Sequence, residues 1–361
     1  MSISIAYEAW CEMERATILP STQISPAASP APPTISWAAA HGTTTPVVRR
    51  IDHVIIRVDE SCFDECYSLF ADTLRLPTPW PPTEHPAMQR GGIFAGNVDF
   101  EILYVPADPI APTGPIPASP VADQAQLYGV AFEGVGDHVA GLTQRGFAYL
   151  PIAYKQPAGG NSPPILRMNT FLASFWPRNG WQRFLFALKR VIPDAVWSKM
   201  FGGNAKTMQW LFNHVYRQGM IFLVQHGPGG RDIEAERRIS KAQLEMRGGG
   251  VLGLMRVKEV AVGTTQLTES SALWRRLLRP AQEETGLCWQ VGDGPALSVI
   301  TAARDGVHHM VWEVASLQAA QSALVELDLL GTVMPDQLTL DPAKCFGLDI
   351  RLVEAPSGFT F

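Results

Sequence analysis

The chain has 361 residues, 46% hydrophobic and 17% charged, the balance of a globular protein long enough for two domains. A net charge of −5 leaves no basic footprint for nucleic acid, and no run of about eighteen apolar residues offers a transmembrane helix. Five scattered cysteines (Cys11, Cys62, Cys66, Cys288, Cys345) are too few for a disulfide framework and fit a reducing, cytoplasmic setting.

Residues 1–47 are rich in Ala, Ser, Thr and Pro and read as a flexible arm. The stretch Arg50–Val58 then reads as a buried strand. His53 and Ile55 alternate onto one face, and Val54, Ile56 and Val58 onto the other. A helix is expected over 63–74, then strands over 91–95 and 98–105, the last carrying Glu101. Prolines over 107–125 mark a linker.

A second unit opens with a strand at 127–132, continues with a helix at 137–145 and closes with a strand at 220–225. Inside it, residues 164–218 form an insertion of helical character. That segment is aromatic, and eight cations (Arg167, Arg178, Arg183, Lys189, Arg190, Lys199, Lys206, Arg217) face one acid, Asp194. It reads as a helical layer filling its own core, as a lid over a lipophilic anionic ligand, or, over 164–217, as a peripheral membrane surface.

Residues 229–250 read as a hinge around a charged helix, 232–247, closed by Gly248-Gly249-Gly250. Strands at 254–262 and 296–300 flank a helix at 268–278. Strands at 307–314 and 346–352 flank another at 317–330. The chain thus divides into 48–228 and 251–361, each holding two units.

A histidine on the first strand and a glutamate on the last strand of such a unit resemble the vicinal oxygen chelate superfamily, the glyoxalase and extradiol dioxygenase group. The resemblance implies an α+β fold of four βαβββ modules in two glyoxalase-like cups. It implies His53 and Glu101 as metal ligands. The corresponding positions in the other units hold Gly129 and Leu223, Glu259 and Ser298, and His309 and Asp349.

If neighbouring units pair, one cup holds His53 and Glu101 and the other Glu259, His309 and Asp349. If the first pairs with the fourth, one cup collects His53, Glu101, His309 and Asp349. The second pairing is preferred, because it gathers two imidazoles and two carboxylates in one place. Glu101 and Asp349 would then double as catalytic carboxylates.

That donor set suits a divalent ion, Fe(II) being favoured and Mn, Co, Ni or Zn alternatives. The function expected is a metal-dependent dioxygenase acting on a small lipophilic, anionic substrate with oxygen donors. A glyoxalase-like lyase or isomerase and a non-catalytic binding protein are the alternatives. The expected assembly is a monomer or homodimer.

Overall fold

The computed structural model describes residues 45–85, 88–106, 124–156, 165–172, 209–216, 219–226, 233–281 and 286–356, with isolated positions elsewhere. The N-terminal arm up to residue 44, most of the proline linker and most of the insertion lie outside the described residues.

Strand β1 (Val48–Val58) is followed by helix α1 (Phe63–Ser68), which runs on as a wider π turn to Thr73, then by β2 (Trp80–His85), β3 (Met88–Phe94) and β4 (Asp99–Tyr104). Next come β5 (Ala125–Gly134), α2 (His138–Gln144), β6 (Tyr149–Gln156), β7 (Ile165–Leu172) and β8 (Met220–Gln225). These strands make one eight-stranded sheet in the order β2-β3-β4-β1-β5-β8-β7-β6. Its centre is an antiparallel pairing of the two opening strands, β1 and β5.

Helix α3 (Ile233–Met246) leads to β9 (Leu254–Thr264), α4 (Leu267–Leu278), β10 (Cys288–Gln290), β11 (Ala296–Thr301), β12 (Gly306–Val314), α5 (Leu317–Glu326), β13 (Leu330–Val333), β14 (Leu338–Leu340) and β15 (Ile350–Glu354). The second sheet has seven strands, β10-β11-β9-β12-β15-β14-β13, again centred on antiparallel opening strands, β9 and β12. The fold is mixed α+β, as expected.

Local chemistry places the helix ends. The Asp137 carboxylate accepts the Ala140 N–H at 3.0 Å, and the Ser316 hydroxyl accepts the Ala319 N–H at 3.3 Å; both satisfy a donor the first helical turn leaves free. After α3 the chain reverses through the glycine triplet. Gly249 has φ +80°, and a Cβ there would meet the Gly253 carbonyl carbon at 2.5 Å. Residues 165–172, expected inside a helical insertion, are instead strand β7, paired with β6 and β8. Leu330 starts β13, although the helix was expected to reach it.

One face of each sheet enters a shared core. Val54, Ile56, Phe100, Ile102 and Phe132 from the first sheet pack in one cluster with Val260, Leu297, Met310, Trp312 and Ile350 from the second. The Trp312 ring stacks on Phe100 at 5.7 Å, and Trp274 of α4 meets Phe132 at 6.0 Å. Trp312 is fully buried. Trp312→Ala is therefore expected to cost about 3–5 kcal/mol in urea unfolding, because the cavity opens where the two sheets meet.

This arrangement overturns the preferred pairing. The first unit pairs with the second and the third with the fourth, through the hydrogen bonds of β1 to β5 and β9 to β12. Among the described residues, no helix is long and apolar enough to cross a membrane.

Candidate functional site

His53 and Glu101 lie on the face of the first sheet turned away from the shared core. Parallel pairing sets Ile55 opposite Glu101 and His53 opposite Asp99. A register shift between Ile51 and His53 accompanies the side chain of Asp52 reaching its neighbour. His53 stands between two carboxylates: Nδ1 is 2.8 Å from Asp52 Oδ2 and Nε2 is 3.2 Å from Glu101 Oε2.

Both acids have further partners. Arg90 Nη1 is 3.4 Å from Glu101 Oε1. Asp52 Oδ1 is 3.1 Å from His226 Nε2 and 3.1 Å from Arg237 Nη2, which also donates to the Asp52 carbonyl at 2.6 Å. Arg237 reaches Asp99 as well, at 3.6 Å. It comes from α3, so this helix is tied to β1 by a buried guanidinium. Arg50 adds an ion pair to Glu234 on the same helix.

The electrostatics follow from burial set against pairing. Burial alone would lower the His53 pKa, but hydrogen bonds that its ring donates to Asp52 and then Glu101 outweigh it and raise it to about 9. Burial would raise Glu101, yet the His53 hydrogen bond holds it down to about 2. Asp52 is likewise held well below its ordinary value against burial, first by His226 and then by His53. At Asp99 burial prevails over the nearby Arg237, and its pKa rises to about 7.

These directions predict an acid-shifted stability optimum. Asp52 and Glu101 contribute above their ordinary values near 4 and lose their contribution as pH falls. Asp99 costs stability as pH rises from 3.8 to about 7, and His53 loses its contribution as pH rises from 6.5 to about 9. Denaturant unfolding across pH 3–9 should peak at about pH 5. His53→Gln should flatten the alkaline limb, which is on the order of 3 kcal/mol for a group this buried.

Opposite this pair, strand β5 offers no further ligand among the described residues. Ala131 pairs with His53 and Gly129 with Ile55. A Cβ at Gly129 would lie 2.7 Å from the Met220 carbonyl oxygen, so that position admits no side chain without movement. Phe222 of β8 presents its ring edge-on to His53 at 5.7 Å. His226 is connected to the pair only through Asp52. The rest of this face is packed. Ile55, Leu103, Ala131 and Phe222 form a cluster with Leu185, Trp197, Phe212 and Tyr216 from the expected insertion. Arg57 donates to Asn213 at 3.1 Å, and the Tyr128 hydroxyl donates to the Tyr216 carbonyl.

His309 and Asp349 lie on the second sheet. Parallel pairing of Met310 with Ile350 puts His309 beside Asp349, and the Met310 N–H bonds the Asp349 carbonyl at 3.1 Å. A register shift between Val307 and His309 lets one β9 step oppose two residues of β12. This bulge brings together the neighbouring rings of His308 and His309, which an undistorted strand would point apart, with their Nδ1 atoms 2.9 Å from each other. His308, His309 and Asp349 each offer a ligand atom within 4.8 Å of the others, the only such group of three among the described residues.

Arg351 grips Asp349 through two bonds, Nε to Oδ1 at 3.0 Å and Nη2 to Oδ2 at 2.8 Å. Burial, then the Arg351 cation, lowers the His309 pKa to about 4, and burial also lowers His308. Glu259 of β9 accepts a hydrogen bond from the Ser298 hydroxyl and adds its charge near Arg351.

The expected four-ligand site therefore does not form. His53 with Glu101, and His309 with Asp349, are on separate sheets, on faces turned away from a common core. Packed sheets stand roughly 10 Å apart, while ligands of one ion must come within about 2–2.5 Å of it. Sequence reading passed over His308 as a ligand because only the bulge brings it round. It also passed over Arg237, which sits in an ordinary charged helix with nothing to mark it.

No family model and no curated protein matches the chain. Among solved structures, the 2,3-dioxygenase LapB from Pseudomonas sp. KL28 is similar over 86% of this chain and 93% of its own, at 11% identity and TM-score 0.44. An extradiol ring-cleaving dioxygenase from B. fuscum is similar over 85% of this chain and 72% of its own, at 11% identity and TM-score 0.45. At such values the residue roles below rest on this chain's own geometry.

Proposed function

We propose that the second sheet holds one divalent metal ion between His308, His309 and Asp349, and that the protein is a metal-dependent oxidoreductase, a dioxygenase. The supporting observation is the donor set: two imidazoles and one carboxylate within 4.8 Å of one another. Two histidines and one carboxylate with open positions are the ligands of non-haem Fe(II) oxygenases, so Fe(II) is the favoured ion. Imidazoles whose pKa is lowered keep a lone pair free for an ion at neutral pH.

When bound, the ion supplies Lewis acidity toward a substrate with neighbouring oxygen atoms and one-electron chemistry toward dioxygen. The chain's own residues supply the rest. Arg351 orients Asp349 and limits its rotation. Buried His309 is fixed by β12. Glu259, held by Ser298 and standing across from Val311, is the carboxylate we assign to accept a proton from a substrate hydroxyl.

The test is anaerobic purification, reconstitution with Fe(II) and metal analysis, followed by oxygen uptake with vicinal diols. One ion per chain is expected. Substoichiometric metal after reconstitution would reject the centre and favour a binding protein.

A further inference from the structure

Beside Asp349 lies an open depression of about 290 Å3, reaching from Arg351 to Thr339, Gln337 and Thr332. Its volume is at the small end of the roughly 300–1,000 Å3 typical of ligand sites. Arg351 and Thr339 face it together because they are directly paired across β15 and β14.

The donors on this wall are only partly used. Arg351 commits Nε and one Nη2 hydrogen to Asp349. A guanidinium carries five N–H donors, and the other three have no partner among the described residues. Thr339 Oγ1 accepts the Thr332 N–H at 2.8 Å, which leaves its hydroxyl hydrogen to donate. Asp349 is the one acid on the lining, and Arg351 already pairs with it.

Among the described residues, no aromatic side chain lines this wall. Of the insertion's described aromatic residues, Phe171, Trp197, Phe212 and Tyr216 are buried against the first sheet with Trp210 beside them, and Phe175 packs on Trp274 of α4. Met334 and Pro342 are the apolar residues of the described lining, and a lipophilic substrate finds little to pack on among them. A planar carboxylate matches the guanidinium fork. A phosphate dianion would carry a charge that one arginine leaves unbalanced beside Asp349.

Building on the metal-centre reading, we propose that Arg351, with Thr339, is the anion-binding element of this pocket and that the substrate is a small carboxylate. Its carboxyl group is held by Arg351 while its oxygen donors face His309.

Lactate and benzoate serve as probes, with lactamide and benzamide as uncharged counterparts. Binding is measured by calorimetry on Zn(II)-reconstituted protein and on the His309→Ala variant. The carboxylates are expected to bind at least tenfold tighter than the amides. Arg351→Gln should remove that preference, and Arg351→Lys should retain part of it. Thr339→Val should weaken carboxylate binding a few-fold, which keeps the proposal testable if Arg351→Gln does not fold. Equal binding of acids and amides, an unchanged preference in Arg351→Gln, or no binding of any probe overturns the assignment. A carboxylate preference that survives in His309→Ala without metal supports the Arg351 role separately, so failure of the metal centre is told apart from failure of the anion site.

Discussion

His309→Ala is expected to abolish stoichiometric metal binding while leaving the fold intact. His309 supplies one of three donors and is the buried one; His308 is exposed and Asp349 partly so. Removing even an outer partner of a metal ligand costs roughly 10–100-fold in affinity, so losing the ligand should cost more than about 100-fold. Asp349→Asn should also weaken the site, because it removes the charge that both the ion and Arg351 face. Equilibrium dialysis with Fe(II) under argon, read by metal analysis, checks both variants. His53→Ala is the control. Its ring is on the first sheet between Asp52 and Glu101, so metal content should not change. If His53→Ala loses the ion and His309→Ala keeps it, the centre has been assigned to the wrong sheet.

Arg237→Met is expected to destabilise the fold by about 3–5 kcal/mol, the usual consequence of removing one partner of a buried ion pair. Arg237 is buried and serves the Asp52 carbonyl, the Asp52 carboxylate and Asp99. Methionine keeps much of the volume but leaves two buried acids short of their cation. The loss should depend on pH with a definite sign. Without the guanidinium, both carboxyl pKa values move up in the folded state, and stability then falls as pH rises above about 4. Urea unfolding at pH 4 and pH 8 should show a small penalty at the lower value and the full one at the higher. Adding Asp99→Asn should recover part of the loss at pH 8. A penalty independent of pH would mean that Arg237 acts only by packing.

Much of the strand pattern was legible because half-buried strands must alternate. β1, β4, β5, β8, β9, β11, β12 and β15 all appear where apolar residues recur at period two or run unbroken. Edge strands were harder. β2 contains Pro81 and Pro82 and β6 contains Pro151, and proline cannot give a ladder hydrogen bond, so these segments resemble loops until a partner is in place. β7 resembles part of a helical insertion because its residues have no clear period on their own; pairing with β6 and β8 makes it a strand.

The resemblance carried by the sequence implied that His53 is close to Glu101 and His309 close to Asp349, and the sheets place both pairs so. Each pair joins the opening and closing strands of one unit, which the crossover through a helix and two further strands leaves side by side as parallel neighbours. It could not determine which units share a sheet, because the hydrogen bonds of β1 to β5 and β9 to β12 look alike from within any one strand. Only the tertiary structure decided that the two pairs face away from a common core. It alone brought His308 round through a bulge, filled the first sheet's outer face with residues from the insertion, and left the second open beside Arg351. The physical reason is that local periodicity sets which face a side chain occupies, whereas the partner of that face is chosen by burial of apolar area between segments far apart in the chain.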